Sequence, residues 1–166
     1  MTSSVLAVDP GLEGAFAFLT SEGALHIRDM PVTFSPSGKR IVDLAGVVKL
    51  LRSARAGADT AAVEQVGGMP GQSGPAAFSF GHGAGAIAGA ALALGYRLEF
   101  VQPARWKAVM KCPANKTLAR ARASEVFPDH AHLWTLAKHD GRAEASLLAA
   151  YALRVFGEEI VTDGPR

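Results

Sequence analysis

The stretch VLAVDPGLEGAFAFL, residues 5–19, constrains the fold more than any other part of the chain. Two apolar runs flank the tripeptide Asp9-Pro10-Gly11. Pro and Gly end a strand and turn the chain, so residues 4–8 and 14–19 read as two strands of one sheet. Ser21, Glu22 and Gly23 form a hairpin turn into a third strand over residues 24–30. One carboxylate, Asp9, therefore stands at the end of a strand whose other residues belong in a core. A turn residue explains it, and so does a metal ligand.

The pattern then changes period. Residues 31–38 hold two prolines and read as a loop. Ile41, Leu44, Val47, Val48 and Leu51 recur at helical spacing, which predicts a helix over residues 41–54. Residues 60–65 predict a fourth strand that ends in Glu64, followed by the breaker-rich GGMPGQSGP at residues 67–75. Residues 76–94 predict a long helix of small residues. Its glycines at 81, 83, 85 and 89 weaken it unless another backbone, from the sheet or a second subunit, packs close. A fifth strand is expected over residues 97–101, helices over 103–110 and 116–126, and a last helix over 140–156. Hairpin strands followed by alternating helix and strand predict an α/β domain with a mixed sheet.

With 166 residues, 49% of them hydrophobic, the chain suits one folded domain rather than a disordered segment. The expected division is a domain over residues 1–157 and a tail over 158–166. The single cysteine, Cys112, excludes an internal disulfide framework and a cysteine-rich zinc site. It fits a reducing compartment. The opening MTSSVLAVDP lacks a basic leader segment, and the small-apolar run 83–95 is shorter than the ~20 residues of a membrane span. A cytoplasmic protein with no membrane partner is expected. Net charge is only +2, but residues 101–130 carry six Lys and Arg against two acids. Such a segment is either a solvated helix face or a phosphate-binding one.

Carboxylates cluster at element ends. Asp9 ends the first strand, Glu64 ends the fourth, and Asp140 and Glu144 lie in HDGRAEA at the start of the last helix. Residues four apart share a helix face. Singly, Asp140 reads as a helix N-cap and Glu144 as a first-turn acid facing water. Jointly, the acids repel one another unless divalent cations neutralise them, and an all-oxygen ligand set suits Mg²⁺ or Mn²⁺.

In this order and spacing, VLAVDPG, AAVEQV, PGQS and HDGRAEASLLAAYA resemble the RuvC family of Holliday-junction resolvases, its phage, bacterial RuvC-like and chloroplast branch in particular. The resemblance runs from Val5 to about Phe156. It implies an RNase H-like fold, with a five-stranded mixed sheet flanked by helices. It implies a homodimer that nicks two opposed strands of a four-way DNA junction, using two Mg²⁺ or Mn²⁺ ions per site and no small-molecule cofactor. Carried over by motif, Asp9, Glu64, Asp140 and Glu144 are the metal-binding acids. Lys116, in ANKTLAR, is the catalytic lysine that holds the scissile phosphate. The last motif departs from standard RuvC, where two aspartates sit three apart; here Asp140 and Glu144 sit four apart.

DNA contacts are expected from Gly68, Met69, Gln72 and Ser73 in the loop after strand four. Lys107, Lys116, Arg120 and His139 are expected to add contacts to phosphate. Phe78 and Phe80 either stack on exposed bases or belong to the core. The glycine-rich helix is the expected dimer surface. Three rivals remain open. A sugar-kinase or actin-like ATPase domain shares the strand–Asp–turn opening but needs a second half. A non-catalytic junction-binding relative would be expected to lack an acid. A nuclease of the same chemistry could act on forks, flaps or RNA–DNA hybrids.

Overall fold

The computed structural model describes residues 4–65, 67–68 and 71–157. Met69 and the tail 158–166 lie outside the described residues. Three antiparallel strands open the chain: β1 (Ser4–Val8), β2 (Ala15–Thr20) and β3 (Leu25–Asp29). After β4 (Val32–Phe34), β5 (Arg40–Val42) and α1 (Leu44–Arg55), strand β6 (Thr60–Glu64) returns parallel to β1. Helix α2 (Gly74–Ala93) leads to β7 (Arg97–Val101), parallel to β6. The sheet order is β3-β2-β1-β6-β7. Helices α3 (Pro103–Met110), α4 (Lys116–Val126) and α5 (Asp140–Phe156) complete the fold. This is the five-stranded mixed sheet of an RNase H-like fold.

Strand β1 is buried along its whole length because both faces are covered. Val5 and Ala7 point to the core formed with α3, α4 and α5, which contains Trp106, Trp134 and Tyr151. Leu6 and Val8 point the other way, to Leu51 of α1, Ile87 of α2 and Tyr96. Period-two alternation thus splits one apolar strand between two cores.

Helix α5 is the pivot of the first core. Ten of its seventeen residues are buried, including the small residues Ala143, Ala145, Ala149 and Ala152, so it lies flat across β1, β2 and β3. Its second residue, Gly141, sits so close to the β1–β2 turn that an added Cβ would stand 2.0 Å from the Glu13 carbonyl oxygen. At Gly14 an added Cβ would stand 2.1 Å from the carbonyl oxygen of Asp9. Both glycines are there because backbone meets backbone.

Two expectations need correcting. The 31–38 loop contains β4, which pairs with β5 as a separate two-stranded sheet. Its turn is closed by the Ser35 amide donating to the Lys39 carbonyl at 2.8 Å. Ile41 is consequently a strand residue, and α1 starts at Leu44, where Asp43 accepts from the Ala45 amide at 3.1 Å. The apolar spacing of Ile41 matched the helix by coincidence of register; the cap residue marked the true start.

The second correction concerns α2. The helix has 20 residues, and an 18-residue window of it has a mean hydropathy of 1.3, long and apolar enough by composition to cross a bilayer, unlike the shorter run considered above. Ser73 caps it, accepting from the Ala76 amide at 3.3 Å, so the helix starts two residues early. Gly83 meets Val42, but Gly81, Gly85 and Gly89 face open space. No backbone among the described residues packs against them. Residues 128–139, for which no element was expected, form two 3-10 turns, Pro128–Trp134 and Ala137–His139. The first buries Trp134, whose indole donates to Ser124 Oγ at 2.9 Å.

Replacing Gly141 by Ala drives a methyl group into the Glu13 carbonyl. Stability is expected to fall by about 2–4 kcal/mol. Urea unfolding checks this, and an unchanged midpoint would contradict the close approach.

Candidate active site

The register of β1 and β6 pairs Val8 with Val63, so Asp9 and Glu64 follow as neighbours at the C-terminal ends of parallel strands. Helix α5 supplies the third acid. Glu144 is only 5% exposed, and it points inward at the place where the sequence alone also allowed a solvent-facing residue. Glu64 and Glu144 both act on Asp9. Burial first, then these two charges, push the Asp9 carboxyl up to about 7, against the opposing pull of the Gly11 amide and Lys116. The Gly11 amide donates to Asp9 Oδ1 at 3.4 Å, part of the turn that the Pro-Gly pair forms.

Each of the other acids has a nitrogen partner. The Trp106 indole donates to Glu64 Oε2 at 2.8 Å. Burial raises the Glu64 carboxyl, and Trp106 and Lys107 work against that rise. Glu144 Oε1 accepts from Lys116 Nζ at 2.8 Å and from Lys107 Nζ at 3.2 Å. Burial disfavours charge on Lys116, but its bond to Glu144 and the fields of Glu144, Asp9 and Asp140 outweigh this and raise its pKa. Asp140 pairs with Arg120, which also donates to Thr117 Oγ1 at 3.2 Å. Asp9, Glu64 and Glu144 thus form the inner group, and Asp140 stands at its margin, held by Arg120.

Among the described residues no three Asp, Glu, His or Cys side chains stand close enough to form a metal cage as they are placed. The donor set still fits a hard divalent cation. It is all oxygen, it is short of water at Asp9 and Glu144, and its negative charge is offset by Lys107, Lys116 and Arg120. A cation and the two lysines would compete for Glu144.

The remaining candidates are spread around this group. Lys107, expected at DNA, lies on Glu144 and also stands 5.3 Å over the Trp106 ring. His139 precedes α5; its Nδ1 is buried without a hydrogen-bond partner, and burial with Arg142 and Lys138 nearby lowers its pKa. Gly68 is exposed, Gln72 is half-buried, and Ser73 is the α2 cap. Phe78 is 75% exposed, so the core alternative fails for it, and its ring stacks on His82. Phe80 is half-buried and approaches the Asp9 loop, with its ring 3.8 Å from where a Gly11 Cβ would be. A largely apolar cleft of about 690 Å³ lies between this loop, β5 and α2.

Two residues that sequence reading passed over anchor the site. Trp106 holds Glu64; its only signal was a tryptophan placed beside Lys107. Arg142 grips Asp29 of β3 through two bonds, of 2.6 and 2.7 Å, and donates to the Leu133 carbonyl at 2.9 Å. It was visible only as the Arg of HDGRAEA.

No protein-family model matches the chain, and comparison with curated proteins finds no match. Solved structures do match. RuvC of T. thermophilus in complex with Holliday junction substrate aligns with a TM-score of 0.54 and 16% identity, covering 91% of this chain and 95% of that one. A second Thermus thermophilus RuvC structure gives the same TM-score and identity over 92% and 96%. At this identity the likeness establishes the shared fold.

The Asp9 shift has a consequence for stability. Between its ordinary 3.8 and about 7, the folded chain keeps a proton that the unfolded chain has released. Stability therefore falls as pH rises through this window, then levels off. Asp9→Asn removes the effect and should stabilise the protein in EDTA at pH 8 by about 1 kcal/mol or more. Melting temperatures at pH 5 and pH 8 check it; parallel behaviour of the two proteins would show that Asp9 is not strained.

Proposed function

We propose that this chain is a RuvC-like, metal-dependent endodeoxyribonuclease that resolves four-way DNA junctions. The observation that carries the reading is the buried group Asp9, Glu64 and Glu144, flanked by Lys107 and Lys116, at the strand ends of a fold shared with RuvC. A structure-selective nuclease needs acids to hold cations and a cation to meet phosphate, and both are gathered here.

Asp9, Glu64 and Glu144 would hold Mg²⁺ or Mn²⁺, with Asp140 completing the set from its margin. When bound, two such ions supply an activated water and a stabilised leaving oxygen in phosphodiester hydrolysis. Lys116 starts α4 beside Glu144, so its ammonium is positioned to pass to a non-bridging phosphate oxygen. Lys107 and Arg120 widen the same positive rim.

Two symmetric nicks on a four-way junction call for two sites related by a two-fold axis. Helix α2 offers the surface for a second copy. Gly81, Gly85 and Gly89 are open, and Phe78 and Leu92 are exposed beside them. We assign this activity to the cytoplasm, on the single cysteine and the need to reach chromosomal or phage DNA.

The test uses a labelled mobile four-way junction, with linear duplex and flap controls, in Mg²⁺, Mn²⁺ or EDTA. Paired nicks on the junction alone are expected, lost in EDTA and in Asp9→Asn while junction binding persists. Cleavage of flaps or hybrids would keep the chemistry and change the substrate. Binding without any cleavage would overturn the enzyme reading. Lys116→Ala is expected to slow cleavage by about 10²–10³-fold with its fold intact; an unfolded variant on circular dichroism would make Lys116 structural.

A further inference from the structure

Trp106 lies in the first core and is fully buried, yet it is not only a packing residue. An indole carries one donor and no acceptor, and a buried donor needs a partner. That partner is Glu64 Oε2, at 2.8 Å. The arrangement follows from topology. β6 and β7 are parallel and end together, with Glu64 opposite Val101. Helix α3 starts directly after β7 and, five residues on, brings Trp106 back over the end of β6. Its neighbour Lys107 reaches Glu144, so one turn of α3 addresses two of the three inner acids.

We infer that Trp106 is a positioning residue for the cation site: its indole N–H ties down one oxygen of Glu64 and leaves the other free to face a divalent cation. The inference rests on the metal-dependent reading above, but it assigns a role to a side chain that need not touch ion or DNA. A glutamate at a strand end has three side-chain torsions, and a single-point hold on Oε2 removes most of that freedom before the ion arrives. Partners of this kind to ligating carboxylates change metal affinity by about 10–100-fold when removed. A phenylalanine would supply the ring for packing and none of the restraint.

Trp106→Phe tests it, with Mn²⁺ affinity measured directly by calorimetry and by the electron-paramagnetic signal of free Mn²⁺. The variant should keep the wild-type circular dichroism spectrum and bind Mn²⁺ about 10–100-fold more weakly. A folded variant with affinity within twofold of wild type would overturn the inference. Should the variant fail to fold, the wild-type protein decides by the nuclear magnetic resonance signal of the Trp106 indole N–H. That signal is expected to shift on addition of Mg²⁺ and in Glu64→Ala, with the Trp134 indole signal as the internal control. An indole signal indifferent to both would overturn the inference equally. Wild-type protein that binds no Mn²⁺ would bring down the metal-dependent reading and this inference with it, whereas tight binding in both proteins would remove only the role of Trp106.

Discussion

The contact between the first turn of α5 and the β1–β2 turn is the constraint on which the site depends. Gly141 lets the helix approach until backbone touches backbone at Glu13. That approach, set by the absence of one methyl group, carries Glu144 into the interior one turn later. Arg142 locks it from the other side, through Asp29 and the Leu133 carbonyl. With the helix a few ångströms farther out, Glu144 would sit in water. Asp9 would then be an ordinary turn aspartate.

The acids so assembled work against folding. Asp9 is deprived of water and faces two like charges, and its carboxyl responds by holding its proton to about 7. Such strain persists where the surrounding structure over-determines the geometry. Here the determination is shared out. Trp106 holds Glu64, Lys107 and Lys116 hold Glu144, and Arg120 holds Asp140. Breaking any one of these leaves a buried or half-buried carboxylate short of a partner, which costs more than the bond itself contributes. On the proposed function, the ammonium and guanidinium groups among these, Lys107, Lys116 and Arg120, are the ones that a phosphate backbone would draw on. The pairing that stabilises the free protein and the pairing that would receive DNA therefore exchange partners rather than add together.

The opposite layer carries a different burden. Helix α2 buries Ile87 and Ala91 against the sheet and α1 but leaves a row of glycines and two large apolar side chains outside. A helix of this composition is intrinsically weak, and burial inside this chain secures only one side of it. Association of two copies through that row would cover the apolar surface and set two acid groups on one assembly.

The sequence by itself determined the three-strand hairpin opening, the alternation of helix and strand after it and the placing of Asp9, Glu64 and the HDGRAEA helix at element ends. These follow from local rules: Pro-Gly turns, unbroken apolar strands and helical spacing. The strand order and the parallel return of β6 beside β1 came from the packed structure. The sequence also excluded a cysteine-rich metal site, because only one cysteine is present. It misread residues 31–43, where an apolar Ile41 fits a strand and a helix equally well. It could not separate Glu144 as a buried acid from Glu144 as a surface one, since both give the same periodicity. Tertiary structure decided those points. It turned Glu144 inward, drew Asp140 aside to Arg120, set Lys107 on Glu144 and gave Trp106 a hydrogen-bond partner forty-two positions away. The reason is one of range. Turns and periods are properties of a few consecutive residues, whereas burial and charge pairing depend on which distant segments the packed backbone brings together.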